Sequence, residues 1–147
     1  MSFTQRLGWL GCCAALLFTL GCKQSENLHP VKGKIVFEDG SPVMFGDIEF
    51  QSTLEPINAR GKIERDGTFV IGTRGRNDGA LEGPHKVVIV QAITNHFNLN
   101  VIHDHGHIIA PKYARYETTD LKVDVKPEEN VLNIVVEQRE DAPEQAE

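Results

Sequence analysis

The feature that most constrains this chain is a period of two that recurs in short runs, each ended by turn residues. Val31, Gly33, Ile35 and Phe37 alternate with Lys32, Lys34, Val36 and Glu38. Successive side chains of a strand point to opposite faces, so this is the pattern of a half-buried strand. Asp39-Gly40-Ser41-Pro42 stops the run with turn residues. Val43 to Gln51 holds a second strand, with Ile48 and Phe50 on one face and Glu49 and Gln51 on the other. Asn58 to Glu64 and Thr68 to Thr73 flank Arg65-Asp66-Gly67, and Asp-Gly between such runs signals a hairpin. His85 to Ile93 is almost continuously apolar, as suits a central strand. Leu121 to Val125 and Val131 to Glu137 form a last pair, joined by Lys126 to Asn130. Seven short strands with regular turn signals predict an all-β sandwich or barrel, with Phe37, Phe50 and Phe69 in its core. Thirteen glycines and seven prolines fit a chain of many turns.

The N-terminus reads differently. Arg6 precedes an uncharged apolar run from Leu7 to Leu20, which Gly21 and Cys22 follow. A basic start, an apolar stretch of this length and a small residue at its end describe a secretory signal. The run is short of the roughly 20 residues of a membrane-spanning helix. Thr19-Leu20-Gly21-Cys22 resembles a bacterial lipobox, in which the cysteine thiol is acylated and the bond before it is cut. It departs from that pattern at Thr19, where leucine is usual. Leu10-Gly11-Cys12 repeats the motif too close to Arg6 for an apolar run to precede it.

Cleavage before Cys22 removes Cys12 and Cys13 and leaves one thiol with no partner for an internal disulfide. Lipidation of Cys22 accounts for that odd cysteine. Several acyl chains hold a protein to a membrane where one holds it marginally. The expected organisation is a signal peptide over 1–21, a lipidated cysteine and tether over 22–27, the sandwich over 28–138 and an acidic disordered tail over 139–147. Lys23 after the cysteine, in place of aspartate, favours outer-membrane sorting by the enterobacterial rule.

His29-Pro30-Val31-Lys32-Gly33-Lys34-Ile35 and Asp39-Gly40-Ser41-Pro42-Val43 resemble the opening of carboxypeptidase-regulatory-like, or transthyretin-like, domains. Gly61-Lys62-Ile63, Asp66-Gly67-Thr68-Phe69, Gly83 to Ile89, Ala110-Pro111-Lys112-Tyr113 and Thr118 to Val125 extend the resemblance over nearly the whole expected domain. The combination with a lipobox is similar to small bacterial lipoproteins of unknown function. The resemblance implies a seven-stranded prealbumin-like or immunoglobulin-like sandwich and no catalysis.

The residues offer little chemistry. The formal net charge is −6 and no Lys or Arg run offsets it, so phosphate backbones find no electrostatic partner. There is no nucleophile elbow, no His-Glu-x-x-His and no phosphate-binding glycine loop. Gly72-Thr73-Arg74-Gly75-Arg76 reads as a connection. Transthyretin-related hydrolases end in Tyr-Arg-Gly-Ser, whereas this sequence closes on Glu-Gln-Ala-Glu. Carbohydrate binding needs exposed aromatic platforms, and the single Trp, Trp9, falls in the signal, leaving Tyr113 and Tyr116.

His103-Asp104-His105-Gly106-His107 is the exception. In extended backbone its three imidazoles share a face and suit zinc, copper or nickel. The competing reading is a polar loop, since Gly106 and Asp104 disfavour a regular strand, and that reading is preferred. The sequence thus predicts a monomeric, non-catalytic cell-envelope module without a cofactor, held to the membrane by Cys22. The sequence names no partner; an unknown envelope protein is a candidate, and an edge strand is one place where another chain could pair. The alternative is a periplasmic metal-binding protein using His103, His105 and His107.

Overall fold

The computed structural model describes residues 27–93 and 106–140. Nine strands are formed there: β1 (Leu28–His29), β2 (Val31–Phe37), β3 (Gly46–Ser52), β4 (Asn58–Ile63), β5 (Thr68–Val70), β6 (Ala80–Leu81), β7 (Gly83–Gln91), β8 (Lys122–Val125) and β9 (Asn130–Val136). Seven are hydrogen-bonded in the order β8-β7-β3-β4-β5-β2-β9, and β1 pairs with β6 apart from them. The β4–β5 ladder consists of one pair, Ile63 with Phe69. The sheet folds there into two layers, β8-β7-β3-β4 and β5-β2-β9, and the protein is an all-β sandwich.

The period-two reading sets the core. Val31, Ile35 and Phe37 of β2, Ile48 and Phe50 of β3, and Val87 and Ile89 of β7 are all buried, and the lysines between those of β2 are exposed. Phe50 and Phe69 meet across the layers with ring centroids 6.4 Å apart. The β4–β5 hairpin turns where Asp-Gly predicts it. Asp66 Oδ1 accepts from the Thr68 N–H at 3.0 Å and from its hydroxyl at 2.6 Å, and Gly67 has φ +82°.

The structure corrects three expectations. The second strand starts at Gly46, three residues later than the alternation suggests. The Val43 N–H still donates to the Ile35 carbonyl at 3.1 Å, so residues 43–45 cross between layers, with Phe45 at φ +54°. Gly46 follows at φ +152°, and a Cβ on it would lie 2.5 Å from the Val90 carbonyl oxygen, so only glycine fits this close approach. The strand expected over Thr68 to Thr73 ends at Val70, and a single bridge from Arg60 to Gly72 continues it.

The third correction is topological. β8 and β9 do not form a hairpin: β8 pairs with β7, and β9 runs parallel to β2 over its whole length. Buried Asn130 organises the connection. Its Oδ1 accepts from the Lys126 N–H at 2.9 Å, and its Nδ2 donates to the Glu128 and Lys126 carbonyls at 2.8 and 3.1 Å. Its own N–H donates to the Pro30 carbonyl at 2.8 Å. These bonds turn the chain across the sandwich instead of back along β8. The last two strands therefore form the two edges of the sheet.

Candidate functional site

Four places could carry function. The first surrounds His107. Buried Gln91 ends β7 and fastens the returning chain: its Nε2 donates to the His107 carbonyl and its Oε1 accepts from the Ile109 N–H, both at 3.0 Å. His107 lies in the connection after β7, outside any strand and partly exposed, close in sequence to buried Ile109 and Tyr113. Its Nε2 lies 3.1 Å from Asp39 Oδ2, and its ring meets the Phe37 ring edge-on at 5.4 Å. Asp39 Oδ1 accepts from the Ser41 N–H at 2.8 Å and hydroxyl at 2.6 Å. These bonds, then His107, hold its carboxyl below the usual range.

A serine, a histidine and an aspartate thus meet, but in the wrong order for acyl transfer. The relay needs an imidazole between nucleophile and carboxylate, whereas here Asp39 accepts from both. His103, His105 and Cys22 lie outside the described residues. Among the described residues, no group of three or more His, Cys, Asp or Glu side chains is placed to hold a metal ion.

The second place is the outer face of β3. Half-buried Glu49 accepts from Arg60 Nε and the Tyr116 hydroxyl, both at 2.7 Å, and from Asn58 Nδ2. Burial opposes its ionisation, yet the bonds from Arg60, Tyr116 and Asn58 hold its carboxyl below the usual range. Burial and the Glu49 charge push the Tyr116 hydroxyl up. Lys86 Nζ donates to the Tyr116 carbonyl at 3.0 Å and Thr119 Oγ1 to the Val87 carbonyl at 2.7 Å, which clamps residues 116–119 over β7. This network is occupied by its own chain. Tyr113 is buried, and the Tyr116 hydroxyl is tied to Glu49.

The third is a groove of about 630 Å³ over β4 and β5, where Arg60, Lys62 and Arg76 face Asp47 and Glu64. Arg60 is paired with Glu49 and Lys62 with Asp47. In the glycine-rich loop beside it, Asp78 accepts from the N–H groups of Thr73, Arg74 and Gly75 at 2.7, 3.2 and 2.7 Å. Successive amides of this kind can cradle an anion, but the chain's own carboxylate fills the cradle. The connection reading of the sequence describes it.

The fourth is the pair of sheet edges. Strand edges present unpaired backbone groups, and proteins blunt them with charge, shortness or proline. β8 is blunted. It has four residues, its Lys122 and Asp124 are exposed, and Lys126 pairs with Asp124. β9 is not blunted. Its seven residues, Asn130-Val131-Leu132-Asn133-Ile134-Val135-Val136, carry no charge and no proline. Ile134 and Val136 enter the core, while Val131 is 68% exposed and Val135 49%. A hollow of about 400 Å³ separates β8 from the Leu132–Val135 stretch.

The backbone of β9 alternates in the same way. The Asn130 N–H points to β2, while Glu137 turns the other way, its N–H to the Tyr113 hydroxyl at 3.2 Å and its carbonyl to the Ala110 N–H at 3.0 Å. In a parallel ladder, alternate residues address opposite neighbours. Val131, Asn133 and Val135 therefore direct N–H and C=O to an edge that no other strand pairs with among the described residues. Residues 108–113 close that edge only from Glu137 onward. The sequence shows the missing charge between Glu129 and Glu137; it does not show that the strand is an edge.

Family models, curated proteins and solved structures were compared with this chain, and none matches.

Proposed function

We propose that this protein is a non-catalytic, lipid-anchored module of the bacterial cell envelope that works by strand pairing along β9. The observation that carries the reading is the open, uncharged edge at Val131, Asn133 and Val135, beside an opposite edge that is short and charged. An edge of this kind recruits a strand through main-chain hydrogen bonds, and the alternate side chains set selectivity. The lipobox-like segment ending at Cys22 supports the envelope location. The resemblance to carboxypeptidase-regulatory-like domains supports a module that binds and does not catalyse. The saturated Glu49 network and the order of Ser41, Asp39 and His107 agree with that.

Photo-crosslinking in intact envelopes tests the reading. A benzophenone side chain at Val131 should give protein adducts, and one at Lys122 on β8 should give far fewer. Equal yields from the two edges, or none from Val131, would overturn it. Detergent partitioning tests the anchor: Cys22→Ser should leave the chain uncut or in the aqueous phase. A cleaved, lipidated Cys22→Ser product would refute that site.

A further inference from the structure

We infer that the strand received by β9 is β9 of a second copy, in antiparallel register centred on Asn133. This inference rests on the strand-pairing reading above. The free stretch runs from Val131 to Val135. Beyond it, Asn130 is tied to Pro30 and Lys126 at one end, and residues 108–113 close the edge at Glu137 at the other. A strand that uses the whole stretch has its midpoint at Asn133. Sliding the register one way drives each chain against the other's 108–113 segment, and sliding it the other way drives each against the Lys126–Asn130 turn.

In the centred register the stretch is complementary to itself, as a two-fold interface requires. Val131 lies opposite Val135 of the second copy and Val135 opposite Val131, so the two exposed valines of each chain cover each other. Asn133 faces its own copy across the axis, polar against polar. No charge lies within β9 to meet its like. The nearest carboxylates, Glu129 and Glu137, are held by Lys32 and Lys112 of their own chain, each at 2.6 Å. Val131, Asn133 and Val135 gain hydrogen bonds for backbone groups that otherwise face the open edge.

Self-association of the full chain in detergent tests this, read by sedimentation equilibrium. The parent should form dimers. Val131→Lys/Val135→Lys should weaken association by about tenfold or more, because each new lysine faces another across the axis. Val131→Glu/Val135→Glu should weaken it likewise. A mixture of the two variants should recover dimers, which a general loss of folding would not allow. Asn133→Cys should give a disulfide-linked dimer above the level of the parent chain, and Lys34→Cys, one strand inward, should not.

A chain that stays monomeric at all concentrations, or a mixture that fails to recover, overturns the inference. The envelope crosslink separates the two failures. Val131 adducts to other proteins from a monomeric chain would leave strand pairing standing without the second copy. Loss of all Val131 adducts would remove both.

Discussion

The two edge strands follow each other in the chain and end up opposite in kind. β8 is short, charged and paired antiparallel; β9 is long, uncharged and paired parallel. Both contribute equally well to the core, where Val125 and Val136 are each 1% exposed. The difference lies wholly in what faces away from it. Packing needs explain the inner residues of both strands. They do not explain why one edge strand carries charge, a usual protection against pairing, and the other carries none.

The largest expected effect tests whether β9 belongs to the core as firmly as the comparison requires. Ile134 is 6% exposed and points into the sandwich. Ile134→Ala should cost about 2–5 kcal/mol in denaturant unfolding, through lost transfer energy and the cavity left behind. Val125→Ala on β8 removes fewer methyl groups and should cost less. An Ile134→Ala chain as stable as the parent would mean that β9 is an adherent strand and not part of the fold.

The turn that separates the two edges comes next. Asn130 is buried and supplies one acceptor and two donors to neighbouring backbone. Asn130→Ala leaves those backbone groups without their partner, at a cost of about 1–3 kcal/mol for a buried unsatisfied group. The loss should be independent of pH. Unfolding midpoints at pH 5 and pH 8 compared between variant and parent would check it.

Beside β8, by contrast, the protein should be acid-sensitive. His85 pairs with Val123, is 1% exposed, and has its Nδ1 2.9 Å from the Gly83 carbonyl, which fixes the proton there in the neutral ring. Its Nε2 has no hydrogen-bond partner among the described residues. Burial lowers its pKa below the ordinary 6.5, with the Gly83 carbonyl and Asp124 working against the shift. The neutral ring is thus favoured in the folded state. Stability should be full above about pH 6.5 and fall as pH drops towards the folded value, by at most about 1.4 kcal/mol per pH unit. His85→Gln should flatten that profile between pH 7 and pH 5. An unchanged slope would place the acid response elsewhere.

Much of this was legible in the sequence, for a physical reason. Burial on one face writes itself as alternation, so the inward residues of β2, β3 and β7 and the Asp66-Gly67 hairpin follow from local pattern. What local pattern does not contain is which strand lies beside which. Lys126 to Asn130 has the composition of a hairpin loop, and only contacts distant in the chain, the β2–β9 ladder and the bond from Asn130 to Pro30 a hundred residues away, show that it is a crossing. The pair β1 and β6, two residues each, is too short to carry a period. The candidate edge was half visible. Its lack of charge is in the sequence, its openness is in the topology. The histidine motif shows the reverse, since three imidazoles in a row draw the eye, and the one described is spent on Asp39.

The smallest expected effect on stability isolates the outer face of β9. Val131 and Val135 are exposed and touch little of the core, so replacing either with lysine should change the unfolding free energy of the isolated chain by no more than about 0.5 kcal/mol, the usual range for surface substitutions. The same substitutions place charge on an edge whose pairing depends on its absence, so crosslinking from that edge should fall sharply. On β8, Lys122→Val removes charge from a blunted edge and should also leave stability nearly unchanged. It should not create a pairing edge, because four residues offer too few backbone bonds and Asp124 remains. Stability measured by denaturant and association measured by sedimentation must therefore separate on β9 and stay together on β8. If Val131→Lys destabilised the fold by more than about 1 kcal/mol, the valine would be packed after all, and the contrast between the two edges would be one of degree.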